Sequence, residues 1–138
     1  MITLNSYDID GVIFMGAQHE GLRPGPDDII VTGRSYQQKD ETLSMLRGRG
    51  INNFVFFNPL SRTDVLYGRL SSGEHKAKTL KHLYEIGVCV VYHFEDDPIQ
   101  ADEVRKIMPN KSKVVMIGNR EHIETDDDLS YNVNEVPF

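Results

Sequence analysis

The chain has 138 residues, 39% hydrophobic and 26% charged, with 15 Lys and Arg against 21 Asp and Glu for a formal net charge of −6. At ~150 residues per domain this is one domain with room for a core, and the composition excludes wholesale disorder. The acidic balance argues against general nucleic-acid binding, which needs clustered Lys and Arg, but leaves room for a small phosphorylated substrate and a divalent cation.

No run approaches the ~18 apolar residues of a membrane span, and residues 1–5 lack the basic and apolar regions of a signal peptide. No membrane partner is therefore expected. The single cysteine, Cys89, excludes an internal disulfide and a cysteine-built zinc site, so a cytoplasmic setting is the default expectation.

Residues 2–9 read as a short strand that ends in acids. Residues 11–26 carry four Gly and two Pro and read as irregular or a hairpin flap. Residues 29–31 form a compact buried strand closing on Thr32-Gly33-Arg34. Ser35 suits a helix N-cap, and the helix runs to about Arg49, with Leu43 and Leu46 inward and Gly50 as its stop. Residues 54–57 are a third strand, and residues 58–73 show no regular pattern. A second helix covers roughly 74–86, with Leu80, Leu83 and Ile86 on one face and Gly87 as terminator. Residues 88–94 are a fourth strand. Pro98 opens a third helix that runs to Met108, and residues 114–117 are a fifth strand. The tail from Glu121 is acidic and expected to be partly loose.

Strands alternating with helices predict an α/β fold with a mainly parallel sheet, and such sheets bind ligands beyond the carboxyl ends of the strands. The first strand ends in Asp8-Ile9-Asp10-Gly11, the second in Thr32-Gly33-Arg34, and the fourth runs into Glu95-Asp96-Asp97, while the second helix carries Lys76. Carboxylates crowded into one crevice repel, and a divalent cation resolves the repulsion; Mg²⁺ suits an all-oxygen site. Next to such an ion one carboxylate can attack phosphorus, and a second acid two residues on can protonate the leaving oxygen and then deprotonate water. A hydroxyl and an ammonium would bind the equatorial oxygens. Gly11 lets the backbone turn tightly past a phosphate.

Four segments in order resemble the motifs of the haloacid dehalogenase superfamily of phosphohydrolases: Asp8-Ile9-Asp10-Gly11-Val12-Ile13, Ile29-Ile30-Val31-Thr32-Gly33-Arg34, His75-Lys76-Ala77-Lys78-Thr79-Leu80 and Phe94-Glu95-Asp96-Asp97. The resemblance implies a Rossmann-like three-layer sandwich with a five-stranded sheet in the order 5-4-1-2-3. It makes Asp8 the nucleophile and Asp10 the general acid/base. Mg²⁺ would be held by Asp8, the carbonyl of Asp10 and an acid of the fourth motif, with Asp96 the first choice, Asp97 the second and Glu95 an alternative. Phosphate would meet Thr32, Gly33 and Lys76, with Lys78 as the alternative to Lys76; the Lys76-x-x-x-Leu80 spacing favours Lys76.

Residues 1–120 would then be the catalytic core, with a flap at 11–27 and an acidic tail at 121–138. The second and third motifs are separated by one helix, one strand and one loop, so no cap domain fits. Capless relatives act on large substrates or close the site with a neighbouring subunit, so a homo-oligomer is among the expectations. Arg62, Tyr67 and Arg69 fall in the irregular stretch, and one of the arginines is expected to meet substrate. Arg34 reads as a phosphate contact or a surface pair, His19 as a residue of the flap, His93 as a buried hydrogen-bonded histidine and Cys89 as core.

The implied function is a Mg²⁺-dependent phosphatase acting on a phosphorylated small molecule or nucleotide. The Thr32-Gly33-Arg34 turn is also reminiscent of polynucleotide end phosphatases. The competing expectation is an inert scaffold of the same fold. A phospho-accepting receiver places its aspartate on a middle strand of the sequence, and a nucleotide-sugar transferase needs a second domain this chain has no room for.

Overall fold

The computed structural model describes residues 1–16, 21–108 and 111–118, and the backbone of 130–132. Six parallel strands form one sheet: β1 (Ile2–Tyr7), β2 (Ile29–Ser35), β3 (Val55–Asn58), β4 (Val88–Glu95), β5 (Lys113–Gly118) and β6 (Ser130–Asn132), in the spatial order β3-β2-β1-β4-β5-β6. Among the described residues three α-helices make the connections from β2 to β5: α1 (Lys39–Gly48), α2 (Arg69–Glu85) and α3 (Pro98–Ile107). The expected α/β class and the order 5-4-1-2-3 are both present. β6 is an addition to the five strands expected: three residues of the acidic tail pair with β5, a run too short to give a periodic signal. The rest of the expected tail lies outside the described residues, as do His19 and the tip of the flap.

Strand alternation sends side chains to opposite sheet faces. One apolar cluster holds Tyr7, Ile9, Ile30 and Phe94 against Leu46 of α1 and Ile51. The other holds Ile29, Val31, Val90, Val114 and Met116 against Leu80 and Leu83 of α2 and Ala101 and Val104 of α3. The run Val12-Ile13-Phe14 is buried in the first cluster. Gly21 N–H donates to the Ile13 carbonyl at 2.7 Å and Leu22 N–H to the Val12 carbonyl at 2.8 Å, so the chain doubles back after Asp10.

Along β1 and β4 the register breaks: Leu4 pairs with Val90, but Ser6 pairs with His93. β4 therefore carries one extra residue opposite Asn5, a bulge, and Asn5 Oδ1 accepts the Tyr92 N–H at 3.3 Å there. Val90 faces the α2 side, and after the bulge so do His93 and Glu95, which pair across β5 with Val114 and Met116 of that same cluster.

Ser35 caps a 3₁₀ turn, Tyr36–Gln38, that leads into α1, so the helix proper begins later than expected. α2 begins at Arg69, five residues before the expected start. Its first turns hold Ser71, Ser72 and Gly73, weak helix formers that hide the signal. Gly73 is required there by packing: a Cβ would stand 2.6 Å from Glu103 Cβ of α3. Ile86, expected on the inward face, is instead the residue ending α2 and is exposed. Among the described residues no helix is long and apolar enough to cross a membrane.

Candidate active site

The strand order reverses between β1 and β4, so the crevice beyond their carboxyl ends is the topological switch point where open parallel sheets bind ligands. Asp8 follows β1 and Asp96 follows β4. Leu4, Ser6 and Asp8 share one face by alternation, the face that α2 covers. α2 presents Lys76, Leu80 and Leu83 as one stripe; the two leucines pack on the sheet, and Lys76, a turn earlier, reaches the strand ends.

A buried polar chain results. Lys76 Nζ lies 3.2 Å from Asp8 Oδ2 and 2.6 Å from Glu95 Oε1, with the Lys76 and Glu95 side chains shut off from solvent. Glu95 Oε1 also meets His93 Nε2 at 3.2 Å, and His93 Nδ1 meets Ser6 Oγ at 2.7 Å. Burial pushes the His93 imidazole down, so the ring is neutral, with Nε2–H donating to Glu95 and Nδ1 accepting from Ser6. Glu95 Oε2 accepts the backbone N–H groups of Asp96 and Asp97 at 3.1 and 3.3 Å. Burial works against the Glu95 carboxylate, but Lys76 and His93 outweigh it and hold it well below the usual range. Lys76 in turn overcomes its own burial through Asp8 and Glu95 and stays firmly protonated.

Asp8, Glu95 and Asp96 each offer an oxygen within 4.8 Å of the others. Burial, and then the neighbouring Glu95 and Asp96 charges, push Asp8 well up, against the pull of Lys76. Burial and Glu95 push Asp96 up to about 7. Gly11, at φ 81°, is what lets Asp96 in: a Cβ there would overlap the Asp96 carboxylate.

Outside this cluster a cleft of about 460 Å³ is lined by Asp8, Asp10, Arg34, Tyr67, Arg69 and Asp96, among others. Asp10 is exposed, and both its carboxylate oxygens accept from Arg34, Nε at 2.9 Å and a terminal nitrogen at 2.7 Å. Thr32 is fully buried behind the cleft, and its hydroxyl accepts the Arg34 N–H at 3.1 Å. Gly33 lines the cleft, and a Cβ there would stand 2.6 Å from Ser72 Oγ, so the position favours glycine.

Asp8, Lys76 and Asp96 thus come together, with Asp10, Thr32 and Gly33 at the neighbouring strand ends. Asp97 does not join them. Its carboxylate caps α3 through the Ile99 N–H at 3.1 Å, accepts from Gln100 at 2.8 Å and pairs with Arg69. The acid that turns inward in its stead is Glu95, because the β4 bulge sets its side. Lys78 is exposed and lines a different groove. Tyr67 and Arg69 border the cleft and Arg62 does not. Arg34 was legible only as an ambiguous cation, and nothing in the sequence pairs Arg69 with Asp97. Comparison with family models, curated proteins and solved structures finds no match.

Proposed function

We propose that the chain is a capless, Mg²⁺-dependent phosphomonoester hydrolase of the haloacid dehalogenase superfamily, built as a Rossmann-like three-layer sandwich. The observation that carries this reading is Asp8: a buried carboxylate at the switch point, bordering a cleft, with an ammonium at 3.2 Å and Asp96 in the same acidic cluster. The two apolar clusters on opposite faces of the sheet support the layered fold.

The donor set fits a hard divalent cation. Three carboxylates and one ammonium leave two negative charges when all are ionised, the charge one such ion cancels. Glu95 is saturated by Lys76, His93 and two backbone N–H groups. Asp8 and Asp96 would therefore hold the ion, and Glu95 anchors Lys76. When bound, Mg²⁺ would neutralise phosphoryl oxygens and allow an anion to approach the acids.

One Asp8 carboxylate oxygen attacks phosphorus as the ester P–O bond breaks, and the leaving oxygen takes a proton from Asp10. Water then attacks the same phosphorus, its proton passes to Asp10, and the Asp8–phosphorus bond breaks to release orthophosphate. Asp10 is engaged by Arg34 on both oxygens, so proton transfer requires the guanidinium to leave it. The phosphoryl group is the anion that draws Arg34 off. Gly33 and Arg34 at the end of β2 border the cleft and face the phosphoryl group, while the buried Thr32 hydroxyl holds the Arg34 backbone and Lys76 beneath Asp8 holds the nucleophile. The test is hydrolysis of an aryl phosphate with Mg²⁺ by wild type and by Asp8→Asn. A wild type inactive on a broad panel of phosphate esters would favour the scaffold reading.

A further inference from the structure

A groove of about 1000 Å³ runs between α2 and the loop that follows β3, and shares Gly68 and Arg69 with the smaller cleft at Asp8. Its lining is largely apolar and includes Phe56, Leu60, Leu66, Leu70 and Leu83. Leu66 and Leu70 are 71% and 58% exposed, and Val65, also of the lining, is 97% exposed. Apolar side chains gathered at such exposure beside a polar cleft mark a ligand surface.

A second, independent feature narrows the ligand. Asn58, at the end of β3, also lines the groove and is only 1% exposed. Its Oδ1 accepts the Leu60 N–H at 3.0 Å, while its Nδ2 has no hydrogen-bond partner among the described residues. A buried donor left unmatched is costly, and it favours a ligand that brings an acceptor. Phe56 adds an aromatic wall.

We propose that this groove is the subsite for the alcohol portion of the substrate, and that it selects a planar apolar ring bearing a hydrogen-bond acceptor that meets Asn58. The proposal rests on the phosphatase reading for its chemistry and on the groove alone for its binding. With phosphorus at Asp8, the ester oxygen points past Arg69, and the ring lies along α2 over Leu66 and Leu70.

Three esters test it: methylumbelliferyl phosphate, a ring with a carbonyl; naphthyl phosphate, a ring without one; and glycerol phosphate, with neither. The expected order of kcat/KM follows that sequence, with about tenfold or more between the first and the last. Leu66→Asp, at an exposed position, is expected to remove the preference for both aryl esters and leave glycerol phosphate within about twofold. Asn58→Asp keeps the acceptor for Leu60 but not the donor, and is expected to lower the methylumbelliferyl rate alone. Equal rates on all three esters, or an equal loss on all three in Leu66→Asp, would overturn the subsite. An equal loss on both aryl esters in Asn58→Asp would overturn the acceptor contact.

Free methylumbelliferone provides the readout that does not need turnover. It is expected to shift the Leu66 and Leu70 methyl resonances of wild type. If no ester is hydrolysed but those shifts occur, the phosphatase reading fails and the groove stands; if the shifts are absent, the groove proposal fails whatever the activity.

Discussion

Lys76 and Glu95 meet at 2.6 Å inside the protein, one from α2 and one from the end of β4, with neither side chain touching solvent. Two buried charges are stable only as a pair with their other hydrogen bonds met. Here His93 and the Asp96 and Asp97 N–H groups meet those of Glu95, and Asp8 takes the other side of Lys76. The pair pins the helix to the strand ends and points an ammonium at Asp8.

Lys76→Met leaves Glu95 charged, buried and unpaired. It is expected to cost about 3–5 kcal/mol of stability. Adding Glu95→Gln should restore part of that loss, because the stranded charge is gone. Urea melts of the two variants and of Glu95→Gln close the cycle; strictly additive losses would contradict the pairing.

Asp8→Asn removes the proposed nucleophile and keeps the shape. Phosphatase activity is expected to fall by about 10³-fold or more. The melting temperature should hold or rise, since burial and two neighbouring acids oppose the charged form of Asp8. Activity close to wild type would remove Asp8 from the chemistry.

Gly11→Ala introduces a Cβ where φ is 81° and where the Asp96 carboxylate already stands. Strain and displacement of Asp96 are both expected, at about 1–3 kcal/mol of stability together with weaker Mg²⁺ binding. Thermal melts with and without Mg²⁺ separate the two effects. An unchanged response to Mg²⁺ would mean that Asp96 is not a ligand.

Mg²⁺ at about 100 times its Kd is expected to stabilise wild type by about 2.7 kcal/mol. Asp96→Asn should abolish most of the effect. Proton and cation compete for Asp96, whose carboxyl burial pushes up to about 7, so the Mg²⁺-induced rise in Tm should shrink as pH falls through 7. A rise independent of pH between 8 and 5 would place the ion elsewhere.

Burial lowers the His75 imidazole to about 4, so the folded protein resists its protonation. The contribution is fully present above the unfolded value of 6.5 and is lost as pH falls from there toward 4. Wild type should lose roughly 1–2 kcal/mol more than His75→Gln between pH 7 and pH 5. Parallel pH profiles for the two proteins would show His75 to be freely protonated.

The alternation of strands and helices and the strand-end acids were legible because short apolar runs stand between helical patterns and because charges stand directly after those runs; the strand order came only with the resemblance of the four motifs. Lys76 could be told from Lys78 by its spacing to Leu80: both residues lie on the stripe that packs on the sheet. Glu95 could not be ranked above Asp97 in the same way. Three consecutive acids look alike until the side each one faces is known, and that depends on a pairing break near Tyr92 that no local pattern announces. The early start of α2 was hidden for a different reason, since Ser72 and Gly73 serve contacts to Gly33 and α3 at the expense of helix propensity.

The extra residue in β4 also sets how this chain tolerates change. Removing one residue at Val91 or Tyr92 would restore strict alternation from Val90 and still leave His93 and Glu95 on the α2 side and Phe94 on the α1 side. Straightening β4 at its present length, by contrast, would exchange an aromatic ring for a carboxylate on each side at once. The least conspicuous irregularity of the backbone is therefore where β4 can lose a residue and keep its faces, and where the full-length strand cannot pair without its bulge.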